Sequence, residues 1–412
     1  MSLFFKPSII VRRNLVLVAS LLFLLVGTGS IYFIVVAMKQ ISNDFLWPRS
    51  VPSIAYALQY FGAGTGGIFM GWCLDRRGME IPALTGAIMI GLGTILTSMV
   101  TTQWELYLIY GVMLGFFGRS TLFAPLTANI TRWFEHNKSL AVGVVGSGQG
   151  LAGMVWPQTF HYLINAYGWR QTALIYGVFS LVTMLPLALI LKQKPPKTVS
   201  SNSSENIILR PTSKVHQYIS PRMIQVSLSI ASIGCCVAMS LPLAHIVSHV
   251  SDLGFDPARG AEVLSIMLAS SAVASFFGVG FLGKRYGGLG ALIIFSSGQA
   301  TLLATLAFVD SLMGVYIASA LFGLGYGGIL PCYPLIVREL LPEAEAGRRT
   351  GIILLCAGIG MAIGSWLGGY MFDLTGTYQL AFLIGVVFNI GNLVIIISLL
   401  LRTHKLNVTL AR

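Results

Sequence analysis

One cation stands in the middle of an apolar run. Arg119 lies in Gly115-Phe116-Phe117-Gly118-Arg119-Ser120-Thr121-Leu122-Phe123. The flanking charges are Glu105 and Arg132, fourteen and thirteen residues away. In a helix that distance is roughly 20 Å, at ~1.5 Å per residue. If the run crosses a bilayer, Arg119 sits near the midplane, where a charge costs at least ~2.5 kcal/mol. A guanidinium is a planar, two-pronged donor that matches a carboxylate or phosphate. The chemistry it offers is anion binding. The bland alternative is a strut, hydrogen-bonded to helix carbonyls.

Other reactive side chains carry weaker signals. Gln149 lies at a similar depth to Arg119. His245 and His249 are four apart, the spacing of a helix-borne zinc pair, but no Glu lies between them and no third ligand is evident. No metal is expected. His245 is the buried-looking group that titrates near neutral pH, so it is a candidate for proton coupling. The five cysteines fall within or at the end of apolar runs and read as packing residues. No Gly-rich phosphate loop is followed by Lys-Ser/Thr, and no nucleophile-and-base constellation survives inspection. The chain is not expected to be an enzyme or to need a cofactor.

The elements that must position these residues are membrane spans. Hydrophobic residues make up 55% of the 412, charged residues 10%, and mean hydropathy is +0.79. Twelve runs are long enough to cross a bilayer. They cover roughly 14–37, 50–73, 81–101, 104–131, 138–164, 170–191, 222–250, 259–283, 288–309, 311–338, 346–371 and 378–401. The first is too long for a cleavable signal. One polar stretch, 192–221, is rich in Lys, Ser, Asn and Pro and reads as a linker. It separates an N-terminal bundle, 1–191, from a C-terminal bundle, 222–412.

Charge placement gives orientation. With the N-terminus inside, the outer loops hold only Lys39, Arg49, Arg170 and Arg259 of the 26 Lys and Arg residues, and Arg119 is within a span. All the others lie on the cytoplasmic side, so both termini and the linker are expected there. The net charge of +12 then faces lipid headgroups rather than nucleic acid.

Between the second and third spans lies Gly71-Trp72-Cys73-Leu74-Asp75-Arg76-Arg77-Gly78, read as a tight turn bent by its glycines. Gly280-Phe281-Leu282-Gly283-Lys284-Arg285-Tyr286-Gly287 repeats it 209 residues on, about half the chain. The pattern Gly-x-x-x-Asp-Arg-x-Gly resembles the signature of the major facilitator superfamily. The resemblance covers the whole chain. It implies an all-α integral membrane fold, with twelve helices in two pseudo-symmetric six-helix bundles, working as a monomer by alternating access. It makes Gly71, Asp75, Arg76, Gly78 and Arg285 gating residues, with Asp75 holding Arg76 and neighbouring helix ends. Two departures stand out: Met79-Glu80 replaces a basic pair, and Lys284 stands where the first copy has Asp75. Glycines cluster in the second, fifth and eleventh spans, where backbones are expected to approach closely.

Further matches are Arg132-Trp133-Phe134, Ser139-Leu140-Ala141-Val142-Gly143, Tyr167-Gly168-Trp169-Arg170, His245-Ile246 with Asp252-Leu253-Gly254, and Gly369-Tyr370-Met371-Phe372-Asp373-Leu374-Thr375-Gly376-Thr377-Tyr378. They look like the monocarboxylate porter and oxalate:formate antiporter group. That group's implied cargo is a small mono- or dicarboxylate, moved by proton symport or by antiport. Its usual eighth-span Arg is absent, because Phe276 occupies the place. The superfamily's cavity-lining spans supply the other substrate candidates: Tyr32, Phe123, His245, Tyr326 and Tyr333. Two further classes stay open, an efflux carrier for amphipathic or drug-like compounds and a receptor-like protein without flux.

Overall fold

The computed structural model describes residues 9–134, 138–193, 220–275, 279–342 and 345–410. Nine helical stretches among these residues are long and apolar enough to cross a membrane. Their exposed sides carry large apolar residues such as Val178, Val182, Val387 and Val394, the surface a hydrocarbon solvent requires. The chain divides into two compact units, residues 1–33 with 61–203, and residues 34–60 with 204–412. Residues 34–60 cluster with the second unit. Residues 194–219, most of the expected linker, lie outside the described residues.

In the first unit, α1 (Ile9–Phe45) supplies Phe23 and Leu24 to a core with Ala87 and Ile90 of α3 (Glu80–Thr97) and Leu122 and Leu126 of the fourth span. α2 (Ser50–Arg77) crosses the fourth span at Gly62 and Gly66, one turn apart. A Cβ at either position would run into backbone atoms of Gly111 or Phe116. Small residues at this spacing let two helices touch backbone to backbone. α6 (Lys138–Leu191) has 54 residues, about 80 Å if straight at ~1.5 Å per residue, more than twice a bilayer's hydrocarbon. Gly168, at φ 77° and ψ 162°, breaks it into two helices. Arg170 then donates to the carbonyls of Ser98 and Val100, closing the end of α3.

In the second unit, α7 (Pro221–Asp252) is buried almost all round, as expected of a helix apolar on every side. α12 (Ala346–Thr375) lays Gly360, Gly364 and Gly368 along it, against Cys236, Ser240 and His245. α9 (Val279–Leu306) and α13 (Gln379–Leu410) share buried amides. Asn389 Nδ2 donates to Ser296 O at 3.0 Å and Gln299 Oε1 at 3.1 Å, and Asn392 Nδ2 donates to Ser296 Oγ at 3.1 Å.

The half-chain echo shows in the backbone. Gly78 (φ 76°) and Gly287 (φ 70°) are both left-handed, and so are Gly168 (φ 77°) and Gly376 (φ 72°). Only glycine adopts this region at little cost. Each pair is about half a chain apart, so both halves place the same turns at matching points.

Candidate functional site

The fourth span is irregular, and Arg119 sits at the irregularity. Thr102 and Glu105 form a capping box that starts the helix. α4 (Gln103–Leu108) widens into a π-helix, Ile109–Gly118, which tightens into a single 3₁₀ turn, Arg119–Thr121, before α5 (Ala124–Trp133) resumes. π-turns are rare and concentrate at functional positions. Pro125 explains the break: it has no N–H to give, and its ring would crowd the carbonyl four residues back. The hydroxyls of Ser120 and Thr121 donate to the carbonyls of Phe116 and Gly118 at 2.5 and 2.7 Å, occupying acceptors at the break. Arg119 is half-buried.

The tenth span repeats this design without the charge. α10 (Leu312–Gly327) and α11 (Ile329–Leu340) meet at Gly328, 209 residues after Arg119, and Pro334 stands 209 residues after Pro125. Ser275 Oγ donates to the carbonyl of Gly327 at this break. The cation is thus a feature of one half only.

The other candidates divide between the two units. In the first unit, Tyr32 is buried in α1 and Gln149 is half-buried in α6. Phe123 is exposed, with its ring edge close to Gly146, one helical turn from Gln149 on the same face. In the second unit, His245 is fully buried, with Nε2 2.8 Å from Ser365 O and its ring stacked on Tyr378 at 4.9 Å. Tyr333 is fully buried with its hydroxyl 3.2 Å from Cys235 Sγ, and Tyr326 packs on Phe322 at 5.3 Å. Phe276 lies outside the described residues.

The charged turn is sharper than expected. α2 continues as helix through Gly71, around which there is open space, and the chain reverses only at Gly78. The reason is hydrogen bonding: Gly78 N–H still reaches Leu74 O at 2.9 Å, so no bend is needed earlier. Asp75 accepts from Arg132 Nη2 at 2.7 Å, which ties the end of α2 to the end of α5. Arg76 instead lies over the Trp72 ring at 4.5 Å. In the second copy, Arg285 Nε reaches Tyr286 Oη at 3.1 Å, and Glu339 accepts from Gly288 N–H.

A cluster in the second unit escaped the sequence reading. Arg49, 9% exposed, forks onto Asp252 with Nη1–Oδ2 2.5 Å and Nη2–Oδ1 2.8 Å. Nη1 also donates to Tyr378 Oη at 2.9 Å, and the guanidinium lies 4.1 Å from the Phe372 ring centroid. Lys39 adds a bond to Asp252 at 3.0 Å. Asp373 accepts from the backbone N–H of Arg49 and Ser50 at 2.7 and 2.9 Å, so it caps the start of α2. Burial opposes the charge on Arg49, but the hydrogen bond to Asp252, helped by Tyr378, leaves its pKa above the ordinary value. Asp252, Asp373 and Tyr378 all belong to the motif segments noted in the sequence; their common partner is Arg49.

Apolar helices long enough to cross a membrane, together with a half-chain repeat, define a multi-pass membrane protein built from two similar halves. The chain belongs to the Major Facilitator Superfamily, whose model matches residues 18–334 and 226–411. It is 26% identical over 394 residues to monocarboxylate transporter 13 of Bos taurus, covering 92% of this chain and 86% of that one. It is 21% identical to the agnestins efflux protein AgnL12 of Paecilomyces divaricatus, over 94% of this chain and 87% of the relative. In fold it matches a bacterial homologue of the human lysosomal transporter Spinster, solved inward-facing and occupied, with a TM-score of 0.74 at 16% identity. That match covers 95% of this chain and 97% of the other.

Proposed function

We propose that this transporter moves a small organic anion, a mono- or dicarboxylate, by alternating access, as a proton symporter or as an exchanger. The observation that carries the reading is Arg119, a cation midway along the fourth span at a π-to-3₁₀ break. Broken helices are where membrane proteins expose polar backbone to a substrate. The similarity to monocarboxylate transporter 13 supports the same cargo class. The N-terminal bundle is 1–191 and the C-terminal bundle 222–412, each with six crossings. The charge bias supports a cytoplasmic-membrane location, with both termini and the linker inside. The carrier works as a monomer.

In this reading two ionic contacts open and close. One is Asp75–Arg132 at the cytoplasmic turn. The other is Arg49 and Lys39 with Asp252, beside the start of α2 that Asp373 caps. The relation to a protein named for efflux favours a second reading, export of an amphipathic compound. Against a cationic cargo, no Asp or Glu among the described residues stands at the depth of Arg119. Uptake of labelled lactate, pyruvate and oxalate into proteoliposomes, with and without a pH gradient, tests the proposal. Saturable uptake of at least one is expected; no flux under any gradient would overturn it.

A further inference from the structure

Beside the charged turn of the first unit lies a cavity of about 290 Å³. α2 supplies Phe69 and Trp72 to its wall, α3 supplies Ile81, and Phe117 of the π segment lies against it. Arg76 and Arg77 stand at one end. Phe69 is seven residues before Arg76, so the slot runs roughly 10 Å along the helix at ~1.5 Å per residue. Trp72 and Phe69 are about half exposed, and both arginines are exposed. Arg76 stacks over Trp72, while Asp75 is taken by Arg132. Among the described residues, no ion pair forms at Arg76 or Arg77.

We propose that this slot binds an anionic phospholipid, with its phosphate on Arg76 and Arg77 and the upper part of one acyl chain between Phe69, Ile81 and Phe117. The position fits: a helix end with a half-exposed tryptophan lies at the headgroup level, where indole rings collect. The charge fits: basic pockets between membrane helices on the cytoplasmic side take anionic headgroups. The two features together select the ligand. A free phosphate in water has no use for an apolar slot, and a zwitterionic lipid carries its own cation against the arginines. The inference does not use Arg119 and stands apart from the proposed cargo. It places Arg76 toward lipid, whereas Asp75 serves the turn itself.

The test uses the purified, delipidated full chain, with native mass spectrometry counting bound phosphatidylglycerol against phosphatidylcholine of the same acyl chains. Phosphatidylglycerol should be preferred. Arg76→Gln should weaken that preference roughly fivefold and Arg76→Gln/Arg77→Gln roughly thirtyfold, at about one lipid-facing cation's worth each. Thr85→Phe fills the slot while keeping both arginines, and should lower phosphatidylglycerol binding as far as the double variant does. A second measurement covers a filled variant that fails to fold. Phosphatidylglycerol with brominated acyl chains should quench wild-type fluorescence, and Trp72→Phe should remove that saturable component. Equal binding of the two lipids, undiminished selectivity in a folded Thr85→Phe protein, or unchanged quenching in Trp72→Phe would each overturn the proposal.

Discussion

Removing one partner of the Arg49–Asp252 pair should destabilise the protein more than any exposed ion pair could. The side chains are 11% and 22% exposed, and both terminal guanidinium nitrogens are engaged. Breaking a buried pair from one side costs about 3–5 kcal/mol, because the remaining charge stays desolvated. Residual exposure of Asp252 puts Asp252→Ala near the lower end, about 3 kcal/mol. Arg49→Ala should cost a similar amount, since it also loses the stacking over Phe372. The double variant leaves only Lys39 without its carboxylate, and Lys39 is 34% exposed, so the two effects should overlap, with a coupling of roughly 2 kcal/mol. Unfolding in SDS titrations, followed by far-UV circular dichroism on all four proteins, measures the cycle. Additivity to within ~0.5 kcal/mol would refute the pairing as a source of stability.

Three further outcomes test the cytoplasmic turn, the close helix crossing and the charge-based topology. Asp75→Asn breaks a pair in which Asp75 is 73% exposed, worth under ~1 kcal/mol, so melting should hardly move while transport slows and binding persists; lost binding with unchanged inward and outward populations would contradict the latch role. Gly66→Ala pushes a methyl into the Phe116 backbone and should cost ~1–3 kcal/mol in thermal unfolding, whereas Gly71→Ala enters open space and should be silent; equal melting of the two would refute the close crossing. A cysteine at Ser203 should react with a membrane-impermeant thiol reagent only after the membrane is opened, and labelling of intact cells would reverse the topology.

The helical class was legible because lipid leaves few solutions: long apolar runs must be helices, and basic residues report the side. The repeat was legible at Gly78 and Gly287, where a left-handed turn needs glycine. The Arg49 cluster was not. Arg49 lies before α2 in a stretch without periodicity, and its partners Asp252, Asp373 and Tyr378 are 203, 324 and 329 residues away. Such contacts leave no local pattern; the motif segments named three of the residues but not their meeting point. The π-helix was hidden for a related reason. Nothing in Ile109–Gly118 marks it, and what accompanies it is the close crossing of Gly62 and Gly66 from another helix. His245 was visible as a histidine in an apolar run, but its complete burial against Gly368 and Tyr378 depended on α12 and the chain just beyond it.

The claim that matters most is that Arg119 binds the transported anion. Arg119→Ala and Arg119→Lys, purified beside the wild type, should be measured for melting temperature and for equilibrium binding of the carboxylate that the wild type transports. Arg119→Ala should insert and fold, because removing a charge from mid-membrane lowers the cost of insertion. It should lose anion binding, and Arg119→Lys should recover only part, since an ammonium cannot form the two-pronged contact. Normal affinity in a folded Arg119→Ala protein would contradict the account, the more so if its melting temperature fell, since Arg119 would then be a strut between helices.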